Sequence, residues 1–188
     1  MIFMTAYKQK GKAMKKFLIV VDMQKDFVDG ALGTEEAVKI VPFVTEKIKN
    51  HDGEIIVTYD THFDNYMDTA EGKKLPVPHC IKGTAGWELD MDVAKALQGK
   101  SYVTIEKLTF GAVDLPALVR TMAKNEDFSV ELIGLCTDIC VVSNALILKA
   151  AFPEAEISVD ANCCAGVTVD SHKAALLTMK FCQIDIKE

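Results

Sequence analysis

The feature that most constrains this chain is the run Phe17-Leu18-Ile19-Val20-Val21, five consecutive apolar residues closed by Asp22. An unbroken apolar run rich in β-branched residues is the mark of a strand buried on both faces, which requires helices on both sides of its sheet. The rest of the chain agrees. Apolar strand patterns recur at 54–59, 101–106, 129–134 and 156–159, with a strand-like 183–186 near the end. Helical patterns lie between them at 34–50, 87–97, 116–125, 139–152 and 171–181, the first with Val38, Val41, Val44 and Ile48 at helical spacing. Residues 60–86 read as a long loop rich in Gly and Pro. Strands alternating with helices of roughly 10–15 residues build βαβ units with right-handed crossovers. The expected fold is α/β: three α/β/α layers, with a mainly parallel sheet covered by helices on both faces. There is no internal repeat.

Residues 1–14 read as an appended, disordered extension, because Met14 is followed directly by Lys15, Lys16 and the first strand. Residues 15–188 then form one domain, of a length that supports one sizeable core. At 49% apolar and 26% charged residues, the composition excludes a disordered or collagenous chain. The net charge is −6, and five of the 21 basic residues crowd into the first sixteen positions with no acid among them. The remainder is more acidic still, which argues against a nucleic-acid partner. Five apolar residues are too few for a signal-peptide core or a membrane span, so the expected location is cytoplasmic, with no membrane partner. The six cysteines then count as thiols rather than staples. No pair has C-x-x-C spacing, which removes the simplest redox or metal-storage reading.

Parallel sheets bind ligands at the carboxyl ends of their strands. Asp22 closes the first strand, Asp60 and His62 follow the second, Lys107 follows the third, and 135–140 follows the fourth and opens a helix. These groups should converge on one edge. Near a helix start the Cys140 sulfur gains from free amides and the helix dipole, which favour a thiolate nucleophile. Lys107 can lower its pKa further, Asp22 can take its proton, and the helix start offers N–H groups to an oxyanion. Taken singly, Cys140 reads as a small core residue, Asp22 as a strand-end cap and Lys107 as a solvated charge; their shared strand-end position favours the joint reading. On the loop, Asp60-x-His62 with His79 offers two imidazoles and a carboxylate, and Glu71 a further oxygen. That set suits a divalent ion such as zinc, iron or manganese, against the alternative of polar loop residues bonding locally. His51 reads as an exposed helix end and His172 as structural. Cys163, Cys164 and Cys182 read as buried, Cys80 as pointing away from the loop site, Trp87 as an aromatic anchor, and Cys136 as important through its backbone.

The stretch Val20-Val21-Asp22-Met23-Gln24-Lys25-Asp26-Phe27 resembles the DxQxDF opening of the isochorismatase-like cysteine hydrolases. Gly134-Leu135-Cys136-Thr137-Asp138-Ile139-Cys140-Val141 resembles their nucleophile loop, and Lys107 with Phe110-Gly111 their lysine segment. The resemblance runs from about residue 16 to the end. It implies a triad of Cys140, Asp22 and Lys107, and a cis peptide between Leu135 and Cys136 with the amides of Cys136 and Cys140 facing an oxyanion. Asp60-Thr61-His62, Glu71 and Pro78-His79-Cys80, then Gly83-Thr84, are similar to the metal site of the nicotinamidase/pyrazinamidase branch, where the ion holds the pyridine nitrogen. Cys140 argues against ether hydrolysis of isochorismate, and the metal loop against carbamoyl or ureido substrates. The chain departs from that branch at Leu75, which stands where an aromatic residue commonly precedes the histidine turn; Phe27 remains to stack on a ring. The resemblance implies hydrolysis of nicotinamide to nicotinate and ammonia through a thioester, with a small-molecule amide as substrate, and a homo-oligomer. The alternatives are the same chemistry on another small amide, or a binding protein without turnover.

Overall fold

The computed structural model describes residues 14–188, so the extension expected over 1–14 lies, Met14 apart, outside the described residues. Six strands form one sheet in the order β3-β2-β1-β4-β5-β6: β1 Lys15–Val21, β2 Glu54–Asp60, β3 Tyr102–Lys107, β4 Phe128–Leu135, β5 Glu156–Ala165 and β6 Asp185–Lys187. Every pairing is parallel. The chain builds outward from β1 through β2 to β3, then returns to the other side of β1 for β4. The order therefore reverses between β1 and β4, and such a switch point is where open parallel sheets bind ligands.

Strand β1 shows why the layers form. Leu18 and Val20 enter one core with Ala37, Ile40, Val41, Val44 and Ile48 of helix α2 (Glu35–Asn50). Phe17, Ile19 and Val21 enter the opposite core, with Leu115 and Val119 of α5 (Leu115–Ala123), Ala145 and Leu148 of α6 (Val142–Ala151) and Met179 of α7 (Val169–Phe181). Alternate side chains point to opposite faces, and each fully buried aliphatic contributes about 1.5–3 kcal/mol relative to exposure. The expected three-layer α/β/α fold is the observed one.

Several boundaries move, each for a local reason. Val38 is exposed, because the buried face of α2 is carried by Ala37, Ile40, Val41 and Val44. The helix expected at 87–97 is only Met91–Ala96 (α4), since the Asp90 side chain accepts from the Asp92 and Val93 amides and fixes the start there. The helix expected at 139–152 is a π-helical turn, Thr137–Val141, followed by α6. The loop at 60–86 holds a 3₁₀ turn, Tyr66–Asp68, and a short helix, α3 (Ala70–Lys74), capped by Thr69. A further short helix, α1 (Lys25–Val28), follows β1. Strand β5 runs on to Ala165, across a register shift opposite Leu132 and Gly134. Helix α5 ends at Ala123 because Lys124 and Asn125 take left-handed backbone at φ +53 and +61, and left-handed Gln183 delays β6 to Asp185. Among the described residues no helix is long and apolar enough to cross a membrane.

Candidate active site

The carboxyl ends of β1, β2, β3 and β4 meet at the switch point. Val21 ends β1, and Asp22 turns out of it with φ +46. The Asp22 amide donates to the carbonyl and the hydroxyl of Thr58 on β2, both at 3.2 Å, and the Thr58 hydroxyl donates back to Asp22 Oδ1 at 2.6 Å. Lys107 is the last residue of β3 rather than a residue beyond it. Its ammonium lies 2.7 Å from Asp22 Oδ2, 3.0 Å from Asp60 Oδ1 and 3.4 Å from Cys140 Sγ. Cys140 sits in the π-helical turn after β4. The Leu135–Cys136 peptide is cis. Lys107 is 3% exposed and no solvated surface charge, and Asp22 and Cys140 are buried beside it.

Burial and charge set the resting protonation here. Burial pushes the Asp22 carboxyl up, and Asp60 adds to it, outweighing the lowering by Lys107. Burial opposes the charge on Lys107, but Asp22, Cys140 and Asp60 outweigh it and hold the ammonium. Burial, and then Asp22, push the Cys140 thiol well above its ordinary value. Lys107 lowers the Cys140 thiol, as expected, but burial and Asp22 outweigh it and the net direction is up. Desolvation of a small anion outweighs one ammonium 3.4 Å away.

The loop after β2 gathers a second cluster. Asp60, His62, Glu71 and His79 each offer one ligand atom, all within 4.8 Å of one another. Asp60 Oδ2 lies 3.0 Å from His62 Nε2 and 3.7 Å from His79 Nε2, and Glu71 Oε1 is 3.7 Å from each imidazole. His79 Nδ1 donates to the Val77 carbonyl at 2.8 Å, which leaves the lone pair on Nε2 facing the cluster. Two carboxylate oxygens and two imidazole nitrogens pointing at one space fit a divalent ion. Asp60 belongs to both clusters, one oxygen toward Lys107 and the other toward the histidines.

Between the clusters opens a cavity of about 630 Å³. Asp60, Glu71, His79, Cys136 and Cys140 line it. Phe27 also lines it, its ring centroid 5.4 Å from that of His79, and Leu75 borders it with its carbonyl accepting from Tyr66. His62 stands behind His79, ring to ring at 4.8 Å. Leu135 borders the cavity at the end of β4.

Three polar residues of this region received no role from the sequence: Gln24 and Asp26, quoted only as part of the opening motif, and Asn144; Gln24 and Asn144 are buried and Asp26 is half-buried. Gln24 accepts from the Asp60 amide at 2.7 Å and donates to the Asp60 and Trp87 carbonyls at 2.9 Å each. Asp26 accepts from the Cys80 amide at 2.8 Å, and Gly86 admits its carboxylate, since a Cβ there would stand 2.1 Å from Asp26 Oδ2. Asn144 accepts from the Ala112 amide and donates to the Cys140 carbonyl, both at 2.8 Å. The available signal was the DxQxDF match for Gln24 and Asp26, and for Asn144 its place four residues after Cys140. Elsewhere His51 is half-buried rather than exposed, wedged near Gly53, where an added Cβ would meet its Nε2 at 2.8 Å. Cys182 is exposed rather than buried, lying just past the end of α7. Cys80 is buried in the core on the α2 side, and Cys163 and Cys164 are buried as expected. Trp87 is partly buried against Tyr59 and donates to Thr61. His172 meets the Thr137 hydroxyl at 2.8 Å.

The isochorismatase domain family model matches residues 16–186. The isochorismatase family protein PncA of Bacillus subtilis (strain 168) is 31% identical over 144 residues, 71% of this chain and 78% of that protein. The crystal structure of nicotinamidase/pyrazinamidase PncA from Bacillus subtilis superposes with a TM-score of 0.78 at 29% identity, covering 93% of this chain and all of that one. Pyrazinamidase of Pyrococcus horikoshii, solved in complex with zinc, gives a TM-score of 0.76 at 28% identity, over 93% and 99% of the two chains. With a matched domain spanning nearly all of the described residues, this chain belongs to the isochorismatase family.

Proposed function

We propose that this protein is a cysteine-dependent amidohydrolase that converts nicotinamide and water to nicotinate and ammonia through a thioester. The observation that carries the reading is the single ammonium of Lys107, within 2.7 Å of Asp22 and 3.4 Å of the Cys140 sulfur beside one cavity. Relatives named nicotinamidase and pyrazinamidase, covered almost end to end, support the substrate.

In this mechanism Asp22 takes the thiol proton as the Cys140 sulfur attacks the carboxamide carbon. Its raised affinity for a proton brings it closer to the thiol it must deprotonate. Lys107 stabilises the sulfur anion and keeps Asp22 oriented. The carbonyl oxygen becomes an oxyanion, held by the amides of Cys136 and Cys140. As the tetrahedral intermediate collapses, the C–N bond breaks and protonated Asp22 gives its proton to the departing amine, releasing ammonia. Asp22 then takes a proton from water, which attacks the thioester carbon; the C–S bond breaks and Cys140 regains a proton. Asp60, His62, Glu71 and His79 would hold a divalent ion of the zinc, iron or manganese kind. When bound, that ion supplies a Lewis-acidic position for the ring nitrogen of the substrate. Phe27 packs on the ring, and Leu75 borders it without an aromatic face. A cytoplasmic location accords with six cysteines that are all free thiols.

The Cys140→Ala variant tests the covalent route. Ammonia release from nicotinamide should fall by at least about 10³-fold, because the nucleophile is gone. Turnover near that of the unaltered protein overturns the reading.

A further inference from the structure

The cavity is larger than the substrate proposed for it. A volume of about 630 Å³ lies within the roughly 300–1,000 Å³ that encloses drug-sized ligands. At about 30 Å³ per water it holds the volume of on the order of twenty waters, whereas nicotinamide has about nine non-hydrogen atoms. The surplus has a definite chemical character. Cys140, Asp60, Glu71 and His79 supply the chemistry-bearing groups of its lining. Apolar walls stand beside them, Leu32 and Ala37 from the start of α2 and the turn before it, Val167 after β5, and Leu108 and Phe110 after β3, with Thr34, Lys74 and Thr109 as polar members of the lining. Phe110, Leu108 and Val167 are exposed hydrophobic side chains, 47%, 65% and 52% accessible. Their apolar surface faces water unless something fills the space.

We infer that the enzyme acts on aryl carboxamides carrying an apolar arm, with the amide at Cys140 and the arm against the wall of Leu32, Ala37, Val167, Leu108 and Phe110. This rests on the amidohydrolase reading of the same site and adds the shape of its substrate. A buried methylene favours the bound state roughly fourfold. An arm of three carbons should therefore raise kcat/KM by about tenfold or more, allowing for incomplete burial.

The test compares ammonia release from nicotinamide, 5-propylnicotinamide and 6-propylnicotinamide by the zinc-loaded full chain. A kcat/KM at least tenfold above that of nicotinamide for either propyl compound supports the inference. So does turnover of a propyl compound with none of nicotinamide, which overturns nicotinamide as substrate but leaves the amidase chemistry standing. Both propyl compounds below nicotinamide overturns the inference and leaves the amidase reading intact. Release of ammonia from none of the three overturns both. A second arm uses Val167→Trp at a half-exposed position where a larger side chain can be accommodated. The ratio of propyl to unsubstituted kcat/KM should fall at least fivefold, and an unchanged ratio counts against the wall. A variant that narrows the cavity without touching the arm changes both substrates alike, so the ratio separates the proposed contact from general damage.

Discussion

Lys107 carries the charge balance of the site, and its removal should be felt first in stability. Its ammonium lies between the Asp22 and Asp60 carboxylates, with almost no water in reach. Lys107→Met keeps most of the side-chain length but leaves two buried carboxylates facing each other. Breaking a buried pair in this way costs about 3–5 kcal/mol. Urea unfolding should show that loss, and adding Asp22→Asn should recover part of it, since one of the stranded charges is then gone. Asp26 acts on the other cluster through the backbone, holding the Cys80 amide next to His79. Asp26→Ala should weaken zinc binding about 10–100-fold, the usual cost of losing a group that orients a ligand. Asp26→Asn retains an acceptor and should stay closer to the unaltered protein; chelator competition measures both. At this scale Asp22, Lys107 and Cys140 were legible because each lies at or just beyond a strand end. The roles of Gln24, Asp26 and Asn144 were not, even where Gln24 and Asp26 stood in the opening motif, because an amide or carboxylate of this kind has meaning only through a backbone group that folding brings to it.

At the scale of elements, β1 and β4 approach each other closely at Gly134. Gly134 has φ +114, and a Cβ there would stand 2.1 Å from the Val21 carbonyl oxygen. Gly134→Ala must strain the backbone or push β4 away from β1, at the point where Asp22 and Cys136 leave the sheet. The expected cost is about 2–4 kcal/mol from strain and overpacking together. In a domain of this size that lowers the melting midpoint by roughly 5–15 °C, and kcat/KM should fall with it. The nucleophile turn is also tied from outside: Asp138 accepts from the Val167 amide at 3.1 and 3.2 Å, and Thr137 meets His172. Strands and long helices were legible as elements, since their periodicity is local. The π-helical turn and the short helices α1 and α3 were not, because stretches of four or five residues carry too little periodic signal and are held by caps and contacts.

For the whole molecule, the pH dependence of stability is set partly by half-buried histidines. Burial holds His172, and likewise His51, below the ordinary value of 6.5. Above about pH 6.5 both are neutral whether the chain is folded or not, and their full contribution to stability is present. As the pH falls below 6.5 the unfolded chain takes up protons first, so stability is lost until the pH passes the lowered folded values. His62 has the opposite sign: burial lowers its proton affinity, but Asp60 more than offsets that, so its contribution is present in acid and lost as the pH rises. The contribution of His172 is therefore isolated by difference. Urea midpoints at pH 7.5 and 5.5 should lie closer together in His172→Gln than in the unaltered chain, and equal spacing in the two proteins would refute the assignment. The sequence by itself determined the layers of this molecule and the edge on which its chemistry gathers. Alternation and apolar runs are properties of neighbouring residues, and a parallel sheet leaves few ways to connect them. Folding settled the rest: that burial outweighs Lys107 at the Cys140 thiol, that Asp60 serves two clusters at once, and that the cavity exceeds a small amide. Each of these depends on burial and on distances between residues far apart in the chain, which no local pattern encodes.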